Sequence, residues 1–183
     1  MSTVPRVPSA VPGQPPAFHT VLAHAPGIQQ RFAALYAAFW MDTALSQRDK
    51  EIARIRNACV TACGSCRQVR FSLAREEGLD EATLDLVTDS YLEAPLSPRE
   101  KRILQYTDAI IGDPARADPA LGAALRDELG EAGLAELTFG VGLFLGLAKV
   151  LITLGLEPEE MPVTVLPTPG STAYRPSAAP AGG

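Results

Sequence analysis

The sequence predicts an all-α protein of about six to seven helices, folded as one domain. The first observation behind this prediction is that apolar residues recur every three or four positions along several segments, which is the spacing of one helix face. The second is that no segment alternates β-branched and polar residues between turn pairs, so no strand is expected. With 183 residues, 46% of them hydrophobic, the chain is long enough to bury one sizeable core.

The clearest helix face lies in the N-terminal part of this domain. Ile28, Phe32, Leu35 and Phe39 follow one another at intervals of three or four residues. This spacing predicts an amphipathic helix over residues 28–40.

Helix start and stop signals mark the later elements. Ser97 and Glu100 have the spacing of a capping box, with Pro98 at the first helical position, so a helix should begin there and end near Gly112. Similar signals predict the remaining helices: from Ser46 or Asp49 to about Ala58, from about Gly64 to Gly78, from Asp80 to about Val87, from Leu121 to Leu129, and from Glu131 to near Gly155.

The charge pattern bounds the class of partner. The formal net charge is -5, from 16 Lys and Arg against 21 Asp and Glu, and the arginines are interspersed with acidic residues. Nucleic-acid binding needs a basic patch or stripe, so no nucleic-acid partner is expected. The N-terminal residues contain no apolar run of signal-peptide length, and we therefore expect a cytoplasmic protein.

One apolar stretch, residues 137–156, approaches the length that spans a membrane. It contains Lys149 and four glycines, which make it weakly hydrophobic, and no second stretch of this kind accompanies it. We therefore expect no membrane association, and predict a helix that is buried within the subunit or between subunits. Gly142 and Gly146 lie one helical turn apart and would allow another helix to approach closely.

Both ends of the chain have the composition of disordered tails. Residues 1–17 contain five prolines, and residues 162–183 consist mostly of Pro, Ala, Gly, Ser and Thr. The predicted organisation is a helical domain over residues 18–161 between two disordered tails.

The C-x-x-C pair Cys63-Gly-Ser-Cys66 is the motif with the most chemical meaning. In a reducing cytosol such a pair fits redox or metal chemistry better than a disulfide framework. Zinc would need a fourth ligand, and His19 and His24 both lie in the N-terminal segment, so no metal is expected. Cys59 completes the C-x3-C-x2-C spacing of iron–sulfur radical enzymes, but its helical context in a short chain favours a small buried core residue. The sequence contains no motif for an organic cofactor.

The residues around the cysteines suggest how the pair would react. In an unbroken helix Glu51 would lie about 18 Å from Cys63, so a role for Glu51 requires a helix break, which we predict within Asn57 to Gly64. The pair would then lie at a helix N-terminus, which favours a thiolate and makes Cys66 the natural nucleophile. Arg70, one turn later, adds a positive charge that favours the same thiolate, and Glu51 can accept the proton.

The spacing of these residues resembles that of the AhpD-like alkylhydroperoxidases within the carboxymuconolactone decarboxylase superfamily. The family pattern is a Glu, a C-x-x-C motif that begins twelve residues later, and a His four residues after the second Cys. Glu51, Cys63 and Cys66 match this pattern in type and spacing, whereas Arg70 stands in place of the His. Similar flanking sequences extend the resemblance over about residues 20–160: His24-Ala-Pro-Gly, Gly78-Leu-Asp-Glu and Ser97-Pro-Arg-Glu-Lys.

The resemblance implies an AhpD-like helical fold in a symmetric homo-oligomer, a trimer or a hexamer. It implies a thiol-dependent oxidoreductase that acts on a hydroperoxide or another small oxidisable substrate, with Cys66 as the peroxidatic nucleophile, Cys63 as the resolving thiol and Glu51 as the relay base. A thioredoxin-like or lipoyl dithiol protein would then reduce the disulfide. Because an arginine stays protonated, Arg70 can stabilise a thiolate but cannot shuttle protons at neutral pH.

Two other functions remain open at this point. One is an acid–base enzyme of the carboxymuconolactone decarboxylase type, a decarboxylase, lyase or isomerase in a specialised pathway, with Glu51 as base and Arg70 binding a substrate carboxylate. The other is a non-catalytic oligomeric binding protein in which the cysteines are structural.

Overall fold

The computed structural model of the chain describes residues 4–158 and 160–173. These residues form eight α-helices and two short strands, which confirms the all-α prediction in its main point. In chain order the elements are α1 (Phe18–Leu22), α2 (Pro26–Met41), α3 (Gln47–Val60), α4 (Gly64–Gln68), β1 (Val69–Phe71), α5 (Ser72–Glu76), α6 (Glu81–Leu84), α7 (Pro98–Ile111), a 3-10 turn (Pro114–Arg116), α8 (Pro119–Leu154) and β2 (Thr164–Leu166).

The residues predicted to start helices form the expected capping hydrogen bonds. The Ser46 side chain accepts a hydrogen bond from the backbone N–H of Asp49 and caps α3. Ser97 and Glu100 form the predicted capping box at the start of α7, and Gly112 follows its last residue. These local hydrogen bonds explain why the helix boundaries could be placed from the sequence.

The long helix α8 contains the two helices that the sequence predicts as neighbours. Asp118 caps its start, and Gly130, at φ 73°, interrupts the helical backbone in between. Gly155 ends the helix in a left-handed conformation at φ 65°, as predicted for a glycine that follows the last helical residue.

The continuous helix predicted from Gly64 to Gly78 is wrong, and so is the prediction that the chain has no strand. The residues of β1 separate α4 from α5 and pair in parallel with β2, with Val69 opposite Thr164. Three-residue strands are too short to show alternation, and the partner of β1 lies about 95 residues further along the chain, so no local pattern could predict the pairing.

The strand β2 lies within residues 162–183, which the sequence predicts as a disordered tail. Further on, the buried Thr168 accepts a hydrogen bond from the backbone N–H of Leu73, and its own N–H bonds to the Ser72 side chain. Near the other end, the backbone N–H of Arg6 donates to the carbonyl of Leu154. Residues 1–3, 159 and 174–183 lie outside the described residues, and the domain boundaries at 18 and 161 stay a prediction.

The core lies where α3 packs between α7 and α8. These three helices supply many of its buried apolar residues, namely Ile52, Ala53, Ile103, Leu104, Leu125, Leu137 and Val141. A second, aromatic cluster lies beside it and consists of Phe39, Trp40, Phe71 and Phe144. Because α3 is enclosed, most of its polar residues are buried too, and each needs a partner inside the protein.

Within the described residues one helix, α8, is long and apolar enough to cross a membrane by length and composition alone. Core helices of folded proteins have the same composition, and Leu137, Val141 and Phe144 of α8 are buried inside this chain. The absence of membrane association stays a prediction.

Within this chain a close approach occurs at Gly140, and the approach of another helix at Gly142 and Gly146 stays a prediction. A Cβ atom at Gly140 would lie 2.5 Å from Cζ of Phe39, whereas nothing in the described chain lies within 4 Å of one at Gly142 or Gly146. The contact between α8 and the aromatic cluster therefore depends on the missing side chain at Gly140.

We expect the Gly140→Ala substitution to lower the free energy of unfolding by about 1–3 kcal/mol, because the added methyl group overlaps the buried Phe39 ring. The matched control is Gly122→Ala in the same helix, where nothing lies within 4 Å of an added Cβ atom; it should raise the free energy of unfolding by about 0.5–1 kcal/mol through helix propensity. Urea unfolding of both variants measures the difference. Equal effects from the two substitutions would contradict this packing.

Candidate functional site

The helix break required by the sequence argument is present. Helix α3 ends at Val60, and Ala62 adopts a left-handed backbone conformation at φ 55°. Cys63 is then the N-cap of α4, and its backbone N–H bonds back to the carbonyl of Ala58. The turn reverses the chain, so that the dithiol segment folds back towards α3 and the predicted break is confirmed.

Cys63 and Cys66 lie close together at the start of α4. They form a disulfide with their Cα atoms 5.3 Å apart, a separation that suits such a bond. Cys63 is fully buried, whereas Cys66 is half-buried. Of the two sulfurs, that of Cys66 is therefore the better placed to meet a substrate or a reducing partner.

The backbone of α4 donates its hydrogen bond to the sulfur of Cys63, not to that of Cys66. The N–H of Cys66 points at Sγ of Cys63, at an N–S distance of 3.4 Å. We expected the helix N-terminus to act on Cys66, but this hydrogen bond would stabilise negative charge on Cys63. The structure thus places the greater exposure at Cys66 and the backbone hydrogen bond at Cys63. The roles of Cys66 as nucleophile and Cys63 as resolving thiol stay a prediction.

Glu51 is buried on α3, with an exposed fraction of 1%, and pairs with Arg54 one turn later. Arg54 Nε donates to Oε2 of Glu51 at 2.7 Å and Nη2 donates to Oε1 at 2.6 Å. The backbone N–H of Phe71 also donates to Oε1, at 3.2 Å. Burial would lower the pKa of Arg54, but the Glu51 carboxylate outweighs this effect and raises that pKa, so the guanidinium stays charged.

Arg54 also connects Glu51 to the dithiol helix. Its Nη1 donates to the backbone carbonyl of Cys66 at 2.8 Å, and Nη2 donates to the carbonyl of Val69. The structure therefore brings Glu51 to the dithiol segment through the guanidinium of Arg54. The role of Glu51 as a base stays a prediction, and its oxygens are both occupied by donors in this state.

Arg70 forms an ion pair with Glu81. Its Nη2 lies 2.9 Å from Oε2 of Glu81, and its Nη1 donates to the carbonyls of Arg67 and Val69. Partial burial opposes ionisation of Glu81, but hydrogen bonds from Arg70 and Arg75 lower the pKa of Glu81. The predicted role of Arg70 at the thiolate or at a substrate carboxylate stays a prediction, since its guanidinium already has an anionic partner.

A third acidic residue, Glu157, reaches the dithiol from the segment that follows α8. Its Oε1 accepts a hydrogen bond from the backbone N–H of Gly64, at 2.5 Å. The same segment continues to β2, which pairs with β1 directly after α4. Glu157 and β2 thus contact the chain at the two ends of the dithiol helix.

Sequence reasoning missed Arg54, Glu81 and Glu157. Only Arg54 had a local signal, since it lies three residues after Glu51 on the same helix, a spacing typical of ion pairs. Glu81 and Glu157 reach the site through turns and through contacts that are distant in the chain.

The remaining cysteine and the histidines lie apart from these contacts. Cys59 is a free thiol that packs against the main core, in agreement with a core role. His24 Nε2 lies 3.0 Å from the carbonyl of Pro8. Among the described residues no group of three or more His, Cys, Asp or Glu side chains is arranged to hold a metal ion.

Residues 26–109, which include the whole Glu51 to Arg70 segment, match the carboxymuconolactone decarboxylase family. This segment of the chain belongs to the carboxymuconolactone decarboxylase family. No curated protein is significantly similar to it in sequence.

Solved structures with this AhpD-like fold include three bacterial proteins. An uncharacterised peroxidase-related protein from Ralstonia eutropha JMP134, described as an alkylhydroperoxidase AhpD core, is 22% identical, with a TM-score of 0.64 over 77% of this chain and 75% of that one. A second peroxidase-related protein, from Silicibacter sp. TM1040, is 16% identical, with a TM-score of 0.63 over 76% of each chain.

The third is a protein of unknown function from Agrobacterium tumefaciens, described as a candidate antioxidant defence protein AhpD. It is 18% identical, with a TM-score of 0.60 over 75% of this chain and 96% of that one. At these identities the likeness establishes the AhpD-like fold.

We expect Glu157→Gln to make the reduced Cys66 about threefold more reactive towards iodoacetamide at neutral pH. Glutamine can keep the hydrogen bond to Gly64 while the negative charge that opposes a nearby thiolate is lost, and a partly screened charge is worth under about 1 kcal/mol. Mass spectrometry of the alkylated protein gives the rate. Glu160→Gln, on the exposed chain nearby, is the control and should leave it unchanged; a slower reaction of E157Q would contradict the prediction.

Proposed function

We propose that the protein is a thiol-dependent oxidoreductase that uses the Cys63–Cys66 pair to reduce a hydroperoxide or to act on another small oxidisable substrate. The observation that carries this proposal is the adjacency of the two sulfurs, with Cys66 exposed enough to react and Cys63 buried behind it. The family match of residues 26–109 and the peroxidase-related neighbours of the same fold support it.

In the proposed reaction the Cys66 thiolate attacks the terminal oxygen of a hydroperoxide. The O–O bond breaks, an alcohol leaves after taking up a proton, and Cys66 becomes a sulfenic acid. The Cys63 thiolate then attacks Sγ of Cys66, the disulfide forms, and the sulfenic oxygen leaves as water with one further proton. The peroxide has gained two electrons, and the dithiol has lost two.

A dithiol protein of the thioredoxin-like or lipoyl type closes the cycle in this proposal. Its thiolate attacks the more accessible Cys66 sulfur, Cys63 leaves, and a second exchange transfers the disulfide to the partner. A cytoplasmic location belongs to the proposal, because the reductants that turn such a cycle over are kept reduced there.

The geometry favours this redox reaction over the acid–base alternative. A decarboxylase-type mechanism needs Glu51 as a free base and Arg70 as a free carboxylate-binding group. Both oxygens of Glu51 accept hydrogen bonds from Arg54, and Arg70 is paired with Glu81. Either group would first have to break its ion pair inside the protein, which costs free energy, whereas the dithiol can react without breaking an ion pair.

A homo-oligomer is also part of the proposal. Large apolar side chains are exposed on α2 and α8, with Leu35 at 45% and Phe139 at 51%, and a shallow groove between them is lined by Ala38 and Ala135. Apolar surface of this kind is stabilised by contact with another subunit.

We expect Phe139→Glu to lower the subunit number measured by light scattering after gel filtration, because it places a charge in this exposed apolar groove. Val4→Glu, on an apolar side chain exposed at 69% near the N-terminus, is the control. A wild-type protein that elutes as a monomer would contradict the proposed oligomer.

The redox proposal predicts different products for the wild type and its cysteine variants when each reduced protein is treated with a small excess of hydroperoxide. The wild type should form the Cys63–Cys66 disulfide, Cys63→Ser should accumulate a sulfenic acid at Cys66, and Cys66→Ser should leave the peroxide unconsumed. Dimedone trapping and peptide mass spectrometry identify each product. Cys59→Ser is the control and should behave as the wild type; peroxide consumption by C66S equal to that of the wild type would disprove the assignment.

A further inference from the structure

The dithiol helix α4 cannot be stable by itself. It has five residues, about one and a half turns, and an isolated helix of this length does not form in water. The relative position of the two sulfurs depends on its backbone, because Cys63 is the N-cap and Cys66 lies in the first turn. Groups outside α4 must therefore hold it in place.

Arg54 makes contacts of this kind, and its guanidinium donates to the backbone carbonyl of Cys66 itself. One edge of its guanidinium faces the Glu51 carboxylate, and the other edge donates to the carbonyls of Cys66 and Val69. These carbonyls lie near the C-terminal end of α4, where a helix has acceptors without partners of their own. Arg70 donates to the carbonyls of Arg67 and Val69, so the bond to the Cys66 carbonyl belongs to Arg54.

The shape of the guanidinium is essential to this arrangement. Its planar fork can donate along one edge to a carboxylate while the remaining N–H groups point to other acceptors. An ammonium group in the same place would keep the positive charge, but its single nitrogen cannot reach Glu51 and both carbonyls at once. Glu51 in turn keeps the guanidinium charged and fixed within the protein, where Arg54 is 6% exposed.

We propose that Arg54 is a positioning residue of the dithiol: anchored by Glu51, it holds the backbone of Cys66 so that Sγ of Cys66 meets Sγ of Cys63. This inference rests on the proposed redox function and assigns Glu51 the part of a fixed anchor. Holding two thiols in place raises their effective concentration, and with it the equilibrium constant for disulfide formation. Loss of Arg54 therefore weakens the disulfide without removing either sulfur.

The experiment equilibrates the full-length protein in glutathione redox buffers and quantifies the Cys63–Cys66 disulfide by mass spectrometry. The first variant, Arg54→Lys, keeps the charge opposite Glu51. The second, Glu51→Gln with Arg54→Met, removes both charges, a change that buried pairs often tolerate. Arg102→Lys is the control, since Arg102 pairs with Glu128 between α7 and α8. Circular dichroism checks that each variant is folded.

For R54K and for the double variant we expect the equilibrium constant for disulfide formation to fall about tenfold, which is about 30 mV for a two-electron couple. The pH midpoint of Cys66 alkylation should not move in R54K, because the charge opposite Glu51 is kept. R102K should match the wild type in both measurements. If R54K does not fold, the double variant decides.

A wild-type constant in either folded variant would overturn the positioning role. A constant that falls in the double variant but not in R54K would also overturn it, since charge alone would then explain the effect. A wild-type pair that equilibrates with glutathione but ignores hydroperoxides and organic oxidants would refute the proposed function and leave the positioning result standing. Thiols that form no disulfide even in oxidised glutathione would refute both.

Discussion

A single buried ion pair, Glu51 with Arg54, connects the core of the protein to its dithiol. Two charges inside a protein lose their hydration, and they are stable there only when their hydrogen-bonding groups have partners. The partners of this pair are backbone groups of the segment that carries and follows the cysteines, namely the carbonyls of Cys66 and Val69 and the N–H of Phe71. The electrostatic requirement of the buried pair therefore fixes how the dithiol segment lies against α3.

The site is assembled from segments that are far apart in the chain. After α4 the backbone becomes extended at β1 and pairs with β2, which follows α8 by about ten residues. Before β2, Glu157 contacts Gly64, and after it Thr168 contacts Leu73. A dithiol helix of five residues thus depends on tertiary contacts at both of its ends, as expected for a reactive segment that is too short to fold alone.

The two cysteines differ in environment although three residues separate them. Burial protects the Cys63 sulfur, and the N–H of Cys66 would stabilise negative charge on it, whereas Cys66 is half-buried and more accessible. Arg70 occupies the place where the family pattern has a His, yet here it binds Glu81 and the end of α4. The residue that departs from the family pattern therefore makes a structural contact here, and position 70 carries no imidazole.

The sequence by itself determined what depends on neighbouring residues. Ser46, Ser97 and Gly155 mark helix ends through local hydrogen bonds and backbone conformation, and the spacing of Glu51, Cys63 and Cys66 resembles the family pattern that the matched segment bears out. Only the tertiary structure decided the rest, because it depends on contacts over long chain distances. The pairing of β1 with β2, the reach of Glu157 and the partner of Arg70 have no local pattern, and the link from Arg54 to the Cys66 carbonyl exists only once the turn at Ala62 folds α4 back onto α3.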